Sequence, residues 1–189
     1  MASERSTNRK IAQLQHNAGT KCMCFARGER DFFNIALSCD SFIKPLLFAG
    51  CMEKYIFLEH TADAKFQAFG SNLEEAFGNA AIAMFSIMTD VNKVQPKKEF
   101  KIDVVAADLK GLLYHWLEEL LFLIDTEFFM LGEVKELKIT RVNEKYRLMA
   151  AVSGDKAENY ETHGDIKAIT YNQMEVDEEN KMVQVVVDI

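Results

Sequence analysis

Residues 71–88 read SNLEEAFGNAAIAMFSIM and contain the clearest helix pattern in the chain. Ser71, followed three residues later by Glu74, is typical of a capping box in which Ser71 is the N-cap and Glu74 reaches back to it. Behind this start, apolar residues recur at helical spacing; they are Leu73, Ala76, Phe77, Ala80, Ala81, Met84, Phe85 and Met88. The stretch therefore predicts one amphipathic helix with its apolar stripe against a β-sheet.

A second helix is predicted further along the chain, where Asp108 is the candidate N-cap. Its apolar stripe has the same spacing and comprises Leu109, Leu112, Leu113, Trp116, Leu117, Leu120, Leu121 and Ile124. Strand patterns surround the first helix: residues 55–58 and 64–69 precede it, and Phe100, Ile102 and Val104 alternate with polar residues after it. Covering a sheet is sufficient reason for both stripes, so we interpret them as core.

Most of the remaining strands are consecutive and lie late in the chain. They are predicted at Val134–Val142, Tyr146–Val152, Ile166–Glu175 and Met182–Asp188, with turns at Asn143-Glu144 and Asp177–Asn180. Two helices among about six strands predict an α+β fold. We expect a two-layer sandwich in which two amphipathic helices pack on a mostly antiparallel or mixed β-sheet.

Charge is distributed unevenly along the 189 residues. The whole chain carries a net charge of −7, but residues 1–51 hold 7 Lys/Arg against 4 Asp/Glu, which leaves 15 against 25 for residues 52–189. Phosphate neutralisation needs basic groups, so the acidic part is not expected to bind nucleic acid directly. If RNA is involved, a partner protein is expected to hold it.

The four cysteines all lie in the first 51 residues, at Cys22, Cys24, Cys39 and Cys51. Their absence afterwards excludes a disulfide framework or a thiolate zinc site from residues 52–189 and is compatible with a cytoplasmic location. Residues 1–51 show no sustained period, so we expect an N-terminal extension that is disordered or lies upstream of the true start at Met52. No apolar run reaches the ~20 residues of a membrane span.

The first site candidate combines the loop residues Glu59–Asp63 with the end of the last strand. Alternation along a strand makes the Asp188 carboxylate project beside the terminal carboxylate of Ile189. Asp63 is the natural third ligand, and oxygen-only ligation suits Ca²⁺, Mg²⁺ or Mn²⁺ rather than zinc. The alternative remains open that Asp63 caps a turn and His60 satisfies a buried backbone group.

Lys167 is the second candidate. A strand from Ile166 to Tyr171 would place Lys167, Ile169 and Tyr171 on one face, where the lysine could meet a phosphate or a carboxylate. A snorkelling lysine on an edge strand explains it equally well. No nucleophile elbow, Walker loop or glycine-rich dinucleotide loop is present, which argues against a hydrolytic triad or a nucleotide-binding enzyme.

Several motifs in order make residues 52–189 resemble the archease family. The motifs are Tyr55–Asp63 (YIFLEHTAD), Leu73–Phe77 with Ala83–Phe85 and Met88–Asp90, Leu112–Tyr114 with Trp116–Leu121, Ile166–Tyr171 (IKAITY) and Asp188-Ile189. Two features depart from the family pattern: the loop Thr162–Asp165 is short, and Asn172 follows Tyr171 where a histidine is common.

The resemblance implies a protein cofactor, not an enzyme, that activates an RtcB-type tRNA-splicing RNA ligase. Family members promote guanylylation and multiple turnover of the ligase and broaden its choice of nucleoside triphosphate. They carry a divalent cation, seen as calcium, at positions that correspond here to Asp63, Asp188 and Ile189. His60 and Lys167 are candidate partner or site contacts. The alternatives are a metal-dependent phosphohydrolase that uses the same carboxylates, and a general chaperone or scaffold.

Overall fold

The computed structural model describes residues 53–60 and 63–189. Seven strands and two α-helices are present among them. The strands are β1 (Tyr55–Leu58), β2 (Ala64–Phe69), β3 (Lys98–Ala106), β4 (Phe129–Val142), β5 (Lys145–Lys156), β6 (Ala168–Asp177) and β7 (Met182–Asp188); the helices are α1 (Leu73–Ser86) and α2 (Leu109–Glu127). The predicted extension over residues 1–51 lies outside the described residues.

The strands form two sheets, with the orders β1-β2-β7-β6 and β3-β5-β4, and every strand pair is antiparallel. Helix α1 packs against β2 and β7 of the first sheet and against β4 of the second, whereas α2 packs against β3, β5 and β6. Each helix therefore contacts both sheets. The predicted α+β class with two amphipathic helices is confirmed, with the strands divided between two sheets.

The core lies where the helix stripes meet the sheets. Trp116 of α2 is fully buried, and its indole N–H donates a hydrogen bond to the Phe77 carbonyl oxygen of α1 at 3.1 Å. This bond satisfies the one polar group of the tryptophan, as burial requires. Phe129, also fully buried, contacts Phe85 and Phe100 edge to face, at centroid distances of 6.4 and 5.0 Å.

The start of α1 differs from the sequence-based prediction by one residue. Asn72, in extended conformation, is the N-cap, and its side-chain oxygen accepts the Glu75 N–H at 2.8 Å. The Glu75 carboxylate in turn accepts bonds from the N–H and the hydroxyl of Ser71. The predicted Ser71–Glu74 box was wrong: Asn72 is the cap, and Glu75 reaches Ser71, the residue before the cap, instead of the N–H of the cap itself.

The boundaries of three strands also differ from the prediction. Strand β4 begins at Phe129, five residues before the predicted Val134, because two irregularities between Leu131 and Glu136 disrupt the alternation that reveals a strand. Strand β5 continues to Lys156, and β6 begins at Ala168. The predicted turn at Asn143-Glu144 is confirmed: both residues have positive φ, as a two-residue hairpin turn requires.

Candidate metal and partner site

The strand register brings Asp63 and Asp188 to the same end of the first sheet. Ala64 of β2 pairs with Val187 of β7 in an antiparallel register. One further step in that register sets Asp63, just before β2, opposite Asp188, the last residue of β7. Residues directly opposite on neighbouring strands have Cβ atoms about 4.5–5.5 Å apart. Continued by that one step, the register brings Asp63 and Asp188, which are 125 positions apart in sequence, to neighbouring strand ends.

Strand β6 adds Lys167 to the same end. Ala168 pairs with Asp188, and the Lys167 N–H donates to the Asp188 carbonyl oxygen at 2.8 Å. The Lys167 ammonium donates a second bond, of 2.9 Å, to the main-chain oxygen of Ile189. This bond to a main-chain oxygen distinguishes neither a lysine that meets a phosphate or carboxylate nor a snorkelling lysine, so both interpretations stay predictions. We call His60, Asp63, Lys167, Asp188 and Ile189 the polar tip.

The structure does not place Lys167, Ile169 and Tyr171 on one regular strand face, as the sequence predicted. Lys167 precedes β6 rather than lying in it, and Ile169 is buried. Tyr171 is exposed but stacks flat on Tyr114 of α2, with ring centroids 4.4 Å apart and an interplanar angle of 9°. The register of β6 with β7 breaks after Thr170. The sequence gives no sign of this break, since a strand pattern continues through it.

His60 faces the tip from the loop after β1. Its Nδ1 atom lies 3.5 Å from a carboxylate oxygen of Asp63, too far for a strong hydrogen bond. That nitrogen is buried, and it makes no hydrogen bond to any residue in the described ranges. Among these residues Nδ1 therefore satisfies no buried backbone group, and its nearest charged neighbour is the Asp63 carboxylate.

The donor set at the tip fits a hard cation that prefers oxygen. The tip offers two carboxylate side chains and the Ile189 main-chain oxygen, which is the ligand chemistry of Ca²⁺ and Mg²⁺. Within residues 53–60 and 63–189, no group of three or more His, Cys, Asp or Glu side chains is arranged to hold a metal ion. A cation at the tip therefore depends on the main-chain oxygen of Ile189 as well as on Asp63 and Asp188.

A second polar cluster, which the sequence did not indicate, surrounds Asp155 at the end of β5. Its carboxylate is 4% exposed and accepts bonds from the Lys97 ammonium at 2.6 Å, the Tyr160 hydroxyl at 2.9 Å and the Lys156 N–H at 2.9 Å. The Lys97 bond, with help from the other two, lowers the pKa of Asp155 to about 2. Tyr160 also accepts the Gln95 N–H at 2.8 Å. These bonds hold three segments of the chain together, and we interpret the role of the cluster as stabilising the fold.

Two antiparallel sheets, two helices that contact both, and a tip of carboxylates at the ends of β2 and β7 define a small α+β domain with one polar end. The archease protein family matches residues 55–189. The chain belongs to the archease family. No helix among residues 53–60 and 63–189 is long and apolar enough to cross a membrane.

Named relatives and a solved structure support this assignment. Protein archease of Methanothermobacter thermautotrophicus is 38% identical over 134 residues, which are 70% of this chain and 95% of the relative. Protein archease of Pyrobaculum neutrophilum is 41% identical over 141 residues, covering 71% and 95% respectively. The solution structure of Methanobacterium thermoautotrophicum protein 1598 superposes with a TM-score of 0.64 at 36% identity, covering 73% of this chain and all of the other.

Proposed function

We propose that this chain is a protein cofactor that activates an RtcB-type tRNA-splicing RNA ligase in the cytoplasm. In this proposal it is not an enzyme; it promotes guanylylation of the ligase, supports multiple turnover and broadens the range of nucleoside triphosphates used. It binds a divalent cation, Ca²⁺ in the first instance and Mg²⁺ or Mn²⁺ as alternatives. The single observation that carries the proposal is the register that sets Asp63 opposite Asp188.

Asp63, Asp188 and the Ile189 main-chain oxygen would hold the cation. A bound divalent ion supplies positive charge beside the phosphates of a nucleoside triphosphate, where guanylylation must release pyrophosphate. The protein's own contribution is to fix two carboxylates at adjacent strand ends, so that little side-chain freedom is lost on binding. His60, 3.5 Å from Asp63, limits the positions open to that carboxylate.

The acidic character of residues 52–189 supports a role through a partner rather than through RNA. With 15 Lys/Arg against 25 Asp/Glu, this part of the chain repels phosphate overall. A ligase active site that binds RNA and nucleotide is basic by necessity, and an acidic tip is complementary to it. The ligase therefore holds the RNA in this proposal, and the tip contacts the ligase.

The test is ligation by a purified RtcB-type ligase with RNA in large excess, with and without the 189-residue chain. The proposal expects a single turnover without the chain and many turnovers with it. Equal stimulation of an unrelated ATP-dependent ligase would instead indicate a general chaperone or scaffold. Release of phosphate from nucleotides by the chain alone would indicate a phosphohydrolase.

A further inference from the structure

We propose that Lys167 is a built-in counter-ion that competes with a divalent cation for the polar tip and so sets the affinity of the site. This inference rests on the proposed cation site and adds a residue that would oppose binding rather than assist it. The observation behind it is the 2.9 Å bond from the Lys167 ammonium to the Ile189 main-chain oxygen.

The backbone holds Lys167 in this position. Its N–H is bonded to the Asp188 carbonyl oxygen at 2.8 Å, which joins the lysine main chain to the end of β7. The oxygen that the ammonium contacts is the Ile189 main-chain oxygen, one of the three proposed ligands of the cation. An ammonium and a divalent cation that share this oxygen would repel each other over a few ångströms. Full coordination therefore requires the ammonium to withdraw.

Two other side chains near the tip make different contacts. Lys65, the second residue of β2, directs its ammonium to the Gln173 side-chain oxygen at 2.7 Å. His60 contacts the Asp63 side of the tip. Lys65 therefore carries the same formal charge near the tip but bonds a neutral amide, and it is a matched control for the general effect of removing a positive charge.

A counter-ion of this kind allows the bound cation to exchange with the Lys167 ammonium. Without a cation, Lys167 compensates the acidic oxygens and ties the end of β7 to the start of β6. With a cation, that tie is released and part of the binding free energy is lost. Removal of the ammonium should therefore have effects of opposite sign: tighter cation binding, but a less stable cation-free protein. A residue that merely positioned the site would weaken both.

The experiment is calorimetric titration of Ca²⁺ into the full chain, together with thermal melts in excess chelator. We expect Lys167→Met to bind Ca²⁺ about tenfold more tightly than the wild type and to melt at a lower temperature in chelator. Lys65→Met should stay within about twofold of the wild-type affinity. Lys167→Arg, which keeps the positive charge, should bind Ca²⁺ with the wild-type affinity.

Unchanged or weaker Ca²⁺ binding by Lys167→Met, with wild-type binding intact, would overturn the counter-ion and leave the cation site standing. Equal tightening by Lys65→Met would also overturn it, since the effect would then be general electrostatics. Absence of Ca²⁺ uptake by the folded wild type and by every variant would overturn the cation site itself, and the counter-ion with it.

Discussion

Tyr171 of β6 lies flat on Tyr114 of α2, with centroids 4.4 Å apart and the planes inclined by only 9°. The pair joins the first sheet to the helix that also packs on the second sheet. Burial, together with a hydrogen bond to Glu118, raises the pKa of Tyr114. Tyr171 remains 56% exposed, so its main structural contribution is the stacked contact itself.

Replacement of the Tyr171 ring should therefore lower the free energy of unfolding modestly. The effect of the ring can be separated from that of the hydroxyl. Tyr171→Ala is expected to lower the free energy of unfolding by about 1 kcal/mol, the usual value of an aromatic pair beyond its buried area. Tyr171→Phe keeps the stack and should stay within about 0.5 kcal/mol of the wild type. Urea denaturation of the three proteins measures this. Equal losses for both variants would show that the hydroxyl, and not the stack, is responsible.

The lowered pKa of Asp155 in the folded protein makes stability depend on pH. Its pKa is lowered from the ordinary value of 3.8 to about 2 in the folded protein. Because folding lowers this pKa, ionised Asp155 favours the folded state. Its contribution is complete above about pH 4 and is lost as the pH falls toward about 2. Denaturant unfolding between pH 5 and pH 2 should show a steeper loss for the wild type than for Asp155→Asn.

The control for that series is Asp125→Asn, at an exposed position of α2. This variant should follow the wild-type curve over the whole pH range. A wild-type curve parallel to that of Asp155→Asn would contradict the assignment of Asp155 as a titrating structural group.

Substitution of glycine by alanine should have opposite effects on stability at two positions. A Cβ at Gly154 would collide with the Met130 carbonyl oxygen and approach the Phe129 ring to 2.7 Å. Gly154→Ala should therefore cost about 3 kcal/mol or more. A Cβ at Gly78, inside α1, would meet Val134 at 3.8 Å, an ordinary contact, so Gly78→Ala should raise stability by about 1 kcal/mol. Thermal and urea unfolding report both, and a destabilising Gly78→Ala would contradict the packing at the α1–β4 contact.

The chain end gives a prediction about tags. In the 189-residue chain, fusion of a tag after Ile189 converts its terminal carboxylate into an amide and removes a charge from the tip. Calcium binding and ligase stimulation should both fall more than with the same tag at the N-terminus, by about tenfold in affinity. Equal binding by the two tagged proteins, measured by calorimetry, would exclude Ile189 as a charged ligand.

Periodic sequence signals predicted much of the fold. The α2 stripe, the Asp108 cap and the bounds of β7 follow from spacing and capping chemistry, and all three are present. Irregular features were missed for physical reasons. The start of β4 is followed by two register irregularities, and Ser153, Gly154 and Asp155 extend β5 although none of them is typical of a strand. The Tyr171–Tyr114 stack and the Asp155 cluster depend on contacts between distant segments, which no local pattern encodes.

Sequence patterns indicated which residues belong to the polar tip but not how those residues are arranged. A strand end with Asp188 and a polar loop with His60 and Asp63 indicate a site. The β2–β7 register, which brings Asp63 and Asp188 to neighbouring strand ends, depends on the pairing of strands far apart in sequence. The bond from Lys167 to the Ile189 main-chain oxygen adds what the sequence left open, namely which atom of the tip the lysine contacts.

The measurement that tests the account most directly is the rate of ligase guanylylation in the presence of Asp63→Asn, Asp188→Asn and a charge-matched control. Glu179→Gln, in the turn at the other end of β7, removes the same charge away from the tip. We predict that each tip variant loses most of the stimulation while Glu179→Gln keeps it. Full stimulation by both folded tip variants would contradict the central claim that the Asp63–Asp188 pair carries the function.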